Sequence, residues 1–424
     1  MKEEFLHFLW QYKLFDVNVL KTTKNEDVQI LKSGNYNKNS GPDFFNSQVR
    51  INNQLWVGNV EIHINSSDWY LHKHEGDENY DAVILHVVWS NDVDVFMKNN
   101  KPIPTLELKH FVSKELLGNY HNLFSKQQRW IPCENQIKEV DVFVIKNWLE
   151  RLYFERLESK SVLIKELLEQ SNNDYEAVLF QLLAKNFGLK VNGEAFLQLA
   201  TSFDFSILRK VRFNKLQLEA LLFGQAGFLD GDVQNVDQLQ LKKEYKYLQH
   251  KYSLHVIANG FQFFRMRPNN FPTIRLAQLV ALLHKHQNLF SKLMELEKLE
   301  DFYKLLSVEV NDFWKTHYTF ETASKKSNKK LTKSFIDLLI INTIIPLKFV
   351  YYKSRGEEDQ EKILKLIQQF KPEKNSIISK FLDLKIKAKN AFESQALLEL
   401  KSNYCAKKRC LQCAIGNSLL RKTN

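Results

Sequence analysis

Apolar residues recur along this chain in two rhythms, and the rhythm changes once. At the start, Phe5, Phe8, Leu9 and Tyr12 follow the i, i+3, i+4, i+7 spacing of one helix face. Runs rich in β-branched and aromatic residues come next, at Val28–Lys32, Phe44–Ile51, Gln54–Ile64, Ala82–Trp89 and Thr105–Leu108. Asn52-Asn53, the stretch NYNKNSGPD and Asn99-Asn100 before Pro102 supply the turn signals between them. From about Val140 a period near 3.6 takes over, in DVFVIKNWLERLYFERLESKSVLIKELLEQ and DYEAVLFQLLAKNFG, with breaks at Gly188, Gly224, Gly227 and Gly231 that divide it into about ten helices. The pattern predicts an α+β chain: an N-terminal mixed sheet with helices over residues 1–135, then a large, mostly α-helical domain over 136–424. Linkers are expected at Glu134–Glu139 and at SKKSNKK from Ser324, the latter as a solvated loop.

Composition narrows the class. The chain has 424 residues, 44% apolar and 26% charged, which is enough for a sizeable core. Its formal net charge of +11 would attract phosphate backbones or acidic membranes, and nucleic acid is the expected partner. The opening MKEEFLHFLWQYKLF has no charged-then-apolar signal pattern, which predicts a cytoplasmic protein. FIDLLIINTIIPLKFVYY, from Phe335, is the most apolar window, but Asp337, Asn342, Pro346 and Lys348 interrupt it, so it reads as a buried helix and no membrane is expected.

The chemistry concentrates in GPDF and GNVEIH. Residues two apart on a strand share a face, so Glu61 and His63 lie together, with Val60, Ile62 and Ile64 on the opposite side. A carboxylate held there would bind a hard divalent cation, joined by Asp43 and the carbonyl of Ile62, with His63 stabilising charge or moving a proton. Register decides whether Asp43 takes part. If Asn52-Asn53 is a strict two-residue turn, paired positions sum to 105 and Asp43 falls on the wrong face. A bulge or an odd loop moves the sum to 104 or 106 and brings Asp43 level with Glu61 or His63.

A helix, then Pro42-Asp43 at the start of one strand, then Glu61-x-His63 on the next, resembles the core of the PD-(D/E)XK nucleases. The resemblance implies a restriction-endonuclease-like sheet, magnesium or manganese held by Asp43 and Glu61, and hydrolysis of phosphodiester bonds in DNA or RNA. In that family the last motif position is lysine, where this chain has His63. A further acidic residue often comes from the opening helix, and Glu4 is the expected one. The other reading is a catalytically degenerate fold that binds nucleic acid or a partner protein. His63, His72, His74 and His86 also cluster in this segment, and His72, His74 and His86 are a rival zinc or transition-metal set.

Two further groups stand out. YCAKKRCLQC places Cys405, Cys410 and Cys413 in a C-x4-C-x2-C array, and Cys133 in WIPCEN completes four ligands for zinc or a [4Fe-4S] cluster. Lys407, Lys408 and Arg409 in that loop are expected to favour thiolates and to touch phosphate. In FQFFRMRPNNFPTIRLAQL, the aromatic residues Phe261, Phe263 and Phe264 are expected to stack on bases, and Arg265, Arg267 and Arg275 to reach phosphates from an ordered loop. Strings across the chain, including GPDF, GNVEIH, YDAVILHVVW, LEALLFGQAGFL and YCAKKRCLQCAIG, look like the uncharacterised bacterial family DUF2851.

Overall fold

A computed structural model of the chain describes all residues except 126–128, 232–234, 258–259, 358–359 and 423–424. The opening helix α1 spans Glu3–Tyr12 and buries Phe5, Leu6, His7, Phe8, Leu9 and Trp10, so nearly all of its circumference except the Glu4 and Tyr12 side is covered. Strands β1 (Val28–Lys32), β2 (Asn35–Tyr36), β3 (Phe44–Ile51) and β4 (Gln54–Asn65) follow. After the short helix α2 (Asp68–Leu71) come β5 (Val83–Ser90) and β6 (Thr105–Glu107). They form one mixed sheet in the order β1-β3-β4-β5-β6, with β2 also paired to β3. β3 and β4 are antiparallel, whereas β4, β5 and β6 run parallel.

The β3–β4 hairpin settles the register question. Asn52 takes φ +41° in a two-residue turn, and Ile51 pairs with Gln54, Arg50 with Leu55 and so on to Ser47 with Gly58. Then the register slips: Phe44 pairs with Val60, because an extra residue is accommodated between Phe44 and Ser47. Asn46 adopts φ +57° there, a left-handed conformation that asparagine tolerates better than most residues. One step beyond Phe44, Asp43 therefore comes level with Glu61, on the same face.

Both faces of β4 are covered at its centre. Val60 and Ile62 are fully buried on one side, and on the other Glu61 and His63 are 5% and 1% exposed. The expected polar face is thus roofed over. The roof is the β4–β5 crossover, and SSDW explains how it is held. The Asp92 carboxylate accepts hydrogen bonds from the Ser66 and Ser67 hydroxyls and the Ser67 amide, Asp68 accepts from the Asn65 amide, and Trp69 packs with Tyr80, Val83, Val95 and Ile103.

The chain divides into two compact units, Met1–Trp148 with Leu400–Asn424, and Leu149–Glu399. The cysteine-bearing end belongs with the sheet, where the sequence pattern grouped it with the helices. Unit two is all helical. Within it, Lys333–Ser354 is a continuous apolar helix whose most apolar window is 72% buried, which makes it a core element. A π-helical segment at Ile340–Ile344 widens this helix just before Pro346, whose ring and missing N–H would disrupt a regular turn. The SKKSNKK loop is not simply solvated: Lys329 is buried, and its Nζ donates to the carbonyls of Trp314 and His317 and to Ser324 Oγ.

Candidate metal centre

The bulge ties each of the two carboxylates to a backbone amide of the other's strand. Asp43 Oδ2 accepts from the Ile62 amide at 3.0 Å, and the Asp43 amide donates to Glu61 Oε2 at 3.1 Å. Asn37 holds the preceding loop from both ends of its side chain: its backbone amide goes to the Asp43 carbonyl, its Nδ2 to the carbonyls of Asn39, Ser40 and Pro42, and its Oδ1 accepts from the Asn39 amide. The turn-rich stretch before β3 is therefore a fixed lead-in to Asp43.

The other oxygen of Glu61 faces imidazoles. His74 Nε2 lies 3.3 Å from Glu61 Oε1 and His63 Nε2 3.6 Å from it, while His63 Nε2 is 3.1 Å from His72 Nδ1. Four donors around a zinc-like ion at 2.0–2.1 Å would be separated by roughly 3.3–3.4 Å in a regular tetrahedron. The spacings of Glu61 with His63 and His74, and of His63 with His72, bracket that edge length, so these side chains are candidate ligands. The donor atoms of His63, His72 and His74 all lie within 4.8 Å of one another. His86 is not in that set. Its Nε2 meets His63 Nδ1 at 2.8 Å, which orients the His63 ring so that the opposite nitrogen points at Glu61.

Electrostatics assigns roles that the motif did not. Burial, and then the neighbouring histidines, lower the His63 pKa to about 2, and burial lowers His86 to about 3. His63 is therefore a neutral donor and does not supply the positive charge of the family lysine. Burial and the adjacent Asp43 charge raise Glu61 to about 9 in the metal-free chain. Such a carboxyl is stabilised as an anion by a bound cation.

The imidazole in the site whose pKa its neighbours raise is His7, which the sequence reading missed. Its Nε2 lies 3.1 Å from Asp43 Oδ2 and its Nδ1 3.3 Å from the Tyr36 hydroxyl. Burial alone would lower its pKa, but the hydrogen bond and charge of Asp43, with those of Glu3 and Glu61, outweigh it and hold the pKa above the ordinary value. The acidic residue that α1 brings here is Glu3, 3.7 Å from His7 on the adjacent turn, and not Glu4, which is exposed. The i, i+4 pair Glu3/His7 was the available signal. Tyr80 also stacks on His74, with ring centroids 3.7 Å apart.

Elsewhere the expected residues divide. Cys133, Cys405, Cys410 and Cys413 are all free thiols lining one small cavity. The amides of Ile415 and Gly416 and the indole N–H of Trp148 donate to Cys413. Burial pushes all four thiols up, Cys410 to about 12, so Lys407, Lys408 and Arg409, exposed in the loop, do not produce thiolates as expected. Among the described residues no three cysteine sulfurs lie within 4.8 Å of one another, whereas a zinc–thiolate tetrahedron with 2.3 Å bonds has edges of about 3.8 Å.

In the helical unit, Phe261 and Phe263 pack against Phe196, Phe228 and Phe271, which removes them as base-stacking platforms; only Phe264 is strongly exposed. Arg265 and Arg267 are exposed, while Arg275 is buried on the helix Pro272–Lys285, with Pro272 in its first turn, where a loop was expected. No curated protein and no solved structure matches the chain. The family described as "Protein of unknown function (DUF2851)" matches residues 3–376, and the chain belongs to that family.

Proposed function

We propose that the chain is a metal-dependent hydrolase of phosphodiester bonds in nucleic acid, acting at Asp43, Glu61 and the histidines around them. The observation that carries this reading is the register slip at Asn46, which spends a left-handed residue to bring Asp43 level with Glu61 beneath the roof histidines. The donor set refines the metal. Magnesium takes oxygen ligands, whereas a carboxylate with imidazoles suits manganese, iron or zinc.

Glu61, His63, His72 and His74 would hold the ion, and His86 fixes the tautomer and aim of His63. Once bound, such an ion polarises a phosphoryl oxygen and makes a water molecule more acidic. Asp43 is anchored by the Ile62 amide and faces the same pocket, in position to orient a nucleophilic water. His7, whose pKa Asp43 raises, would take over the charge-stabilising role that the neutral His63 cannot play. The exposed Arg265, Arg267, Lys407, Lys408 and Arg409 would hold nucleic-acid phosphates.

A binding fold without catalysis is the second reading, favoured by the roof that leaves Glu61 only 5% exposed. Cleavage of single- and double-stranded DNA and RNA, with manganese, zinc or magnesium, separates the two. The hydrolase reading expects manganese-dependent cleavage that falls by more than about 100-fold in Asp43→Asn and Glu61→Gln, beyond the usual cost of losing an outer-shell partner. Intact nucleic-acid binding with no cleavage in the wild type would favour the second reading, and cleavage unaffected by both substitutions would refute the assignment.

The cysteine cavity extends the proposal to a structural cofactor, zinc or a [4Fe-4S] cluster. Anaerobically purified protein should be brown and lose the colour in Cys410→Ser; colourless protein with one zinc would assign zinc instead.

A further inference from the structure

Arg275 is 8% exposed, yet no carboxylate meets it. Nη1 donates to Gln278 Oε1 at 2.9 Å and Nη2 to Asn270 Oδ1 at 2.6 Å, while Nε has no hydrogen-bond partner. The guanidinium lies flat over Phe335, 3.6 Å from the ring centroid. An arginine has five N–H donors and stays charged when buried. Two neutral amides and a ring face orient this one without neutralising it.

A second buried cation sits on the same wall. Lys329 is 7% exposed and donates only to neutral acceptors, the carbonyls of Trp314 and His317 and the Ser324 hydroxyl. Gln278 ties the two together, since its Nε2 donates to the Lys329 carbonyl at 2.8 Å. Both line a cavity of about 680 Å³, within the range of small-molecule sites, with Arg267, Lys330, Ser327 and Ser334 at its rim and no aspartate or glutamate among its described lining residues. At the rim Lys330 lies 3.8 Å from Glu309, a half-exposed pair that contributes little. Buried charge without a counter-charge is costly, and a cavity that concentrates it is complementary to an anion.

We propose that this cavity binds a phosphate monoester, with the fixed guanidinium of Arg275 taking phosphoryl oxygens and Arg267 and Lys330 closing the rim. The guanidinium fork matches a phosphate face, and the serine hydroxyls supply further donors. The volume leaves room for a nucleoside attached to the phosphate. The site lies wholly within the helical unit and does not depend on the metal-centre reading.

The test is binding to the full chain, by calorimetry and thermal shift, of inorganic phosphate, a nucleoside 5′-monophosphate, and oligonucleotides with 5′-phosphate or 5′-hydroxyl ends, against potassium chloride at equal ionic strength. The account expects saturable binding of phosphate monoesters that weakens by roughly tenfold or more in Arg275→Gln, the loss of at least one charge-assisted hydrogen bond. Arg267→Ala with Lys330→Ala, on the exposed rim, should weaken it comparably and keeps the test valid if Arg275→Gln fails to fold. Tighter binding of the 5′-phosphorylated strand than of the monophosphate identifies a strand end as the source, and the reverse identifies a free nucleotide. No binding above the chloride control, or binding unchanged in the rim variant, overturns the proposal.

Discussion

The molecule has two buried polar centres of opposite character. In the sheet unit, Glu61 lies among imidazoles that burial keeps neutral, an arrangement of lone pairs with room for a cation. In the helical unit, Arg275 and Lys329 lie among amides, carbonyls and aromatic faces, an arrangement of N–H donors with room for an anion. The means of construction differ as well. Strand register brings Asp43 to the first, so a single residue of slip decides whether that carboxylate lies level with Glu61. A helix and a folded-back loop build the second, and its charge is held by side chains that could change one at a time.

That contrast predicts a crossed pattern of ligand effects. Manganese should stabilise the wild type and Arg275→Gln but not Glu61→Gln, and phosphate should stabilise the wild type and Glu61→Gln but not Arg275→Gln. At a hundredfold excess over Kd, each ligand should add about 2.7 kcal/mol where its site is intact. Thermal or denaturant unfolding of the three proteins measures this. Both ligands failing on one variant would mean that the centres are not independent.

Next in size is the register device. Asn46→Val places a β-branched residue at φ +57° and should destabilise the chain by about 1–2 kcal/mol. Deleting Asn46 removes the bulge but leaves Phe44 opposite Val60 and Asp43 opposite Glu61, so the manganese and phosphate effects should both survive it. A manganese response lost on that deletion would break the link between register and site.

The metal-free chain should also show a particular pH profile. His63 and His86 titrate at about 2 and 3 when folded, against 6.5 ordinarily, so below 6.5 the unfolded chain binds more protons and acid destabilises. Glu61 does the opposite: raised from 4.5 to about 9, it holds its proton in the folded chain over a range where the unfolded chain has lost it. Between 4.5 and 6.5 the two histidines outweigh the one carboxyl, and above 6.5 Glu61 acts alone, so stability peaks near 6.5. On the alkaline side it should fall by up to about 1.4 kcal/mol per pH unit. Glu61→Gln should flatten that limb, and so should saturating manganese. The smallest effect expected is that of Glu4→Gln, an exposed position, at within about 0.5 kcal/mol and with cleavage unchanged.

Much of the sheet could be read directly. Val28–Lys32 and Phe44–Ile51 match the expected runs to the residue and β4, β5 and β6 to within one, because alternation and turn residues are local properties, whereas β2 lies in NYNKNSGPD, which reads as a turn. The positions of Asp43 and Glu61 along the hairpin also require an irregularity of this kind, though they do not say where it falls. What was illegible depended on contacts distant in sequence. His7 looked like part of a helix face until Tyr36 and Asp43 came against it. Lys329 looked like one cation of a solvated run, and only the packing of Trp314 and His317 around its Nζ shows otherwise. Glu4 and Glu3 differ by one position, and pattern alone does not orient a helix that is buried on most sides.

The central claim is that the carboxylate–histidine pocket holds a metal ion, and the most direct test is anomalous diffraction from crystals soaked with manganese. The account predicts an anomalous peak within coordination distance of Glu61 and of ring nitrogens of His63, His72 and His74, absent in Glu61→Gln. A map with no peak there, with His63 and His72 still hydrogen-bonded to each other across the pocket, would contradict it.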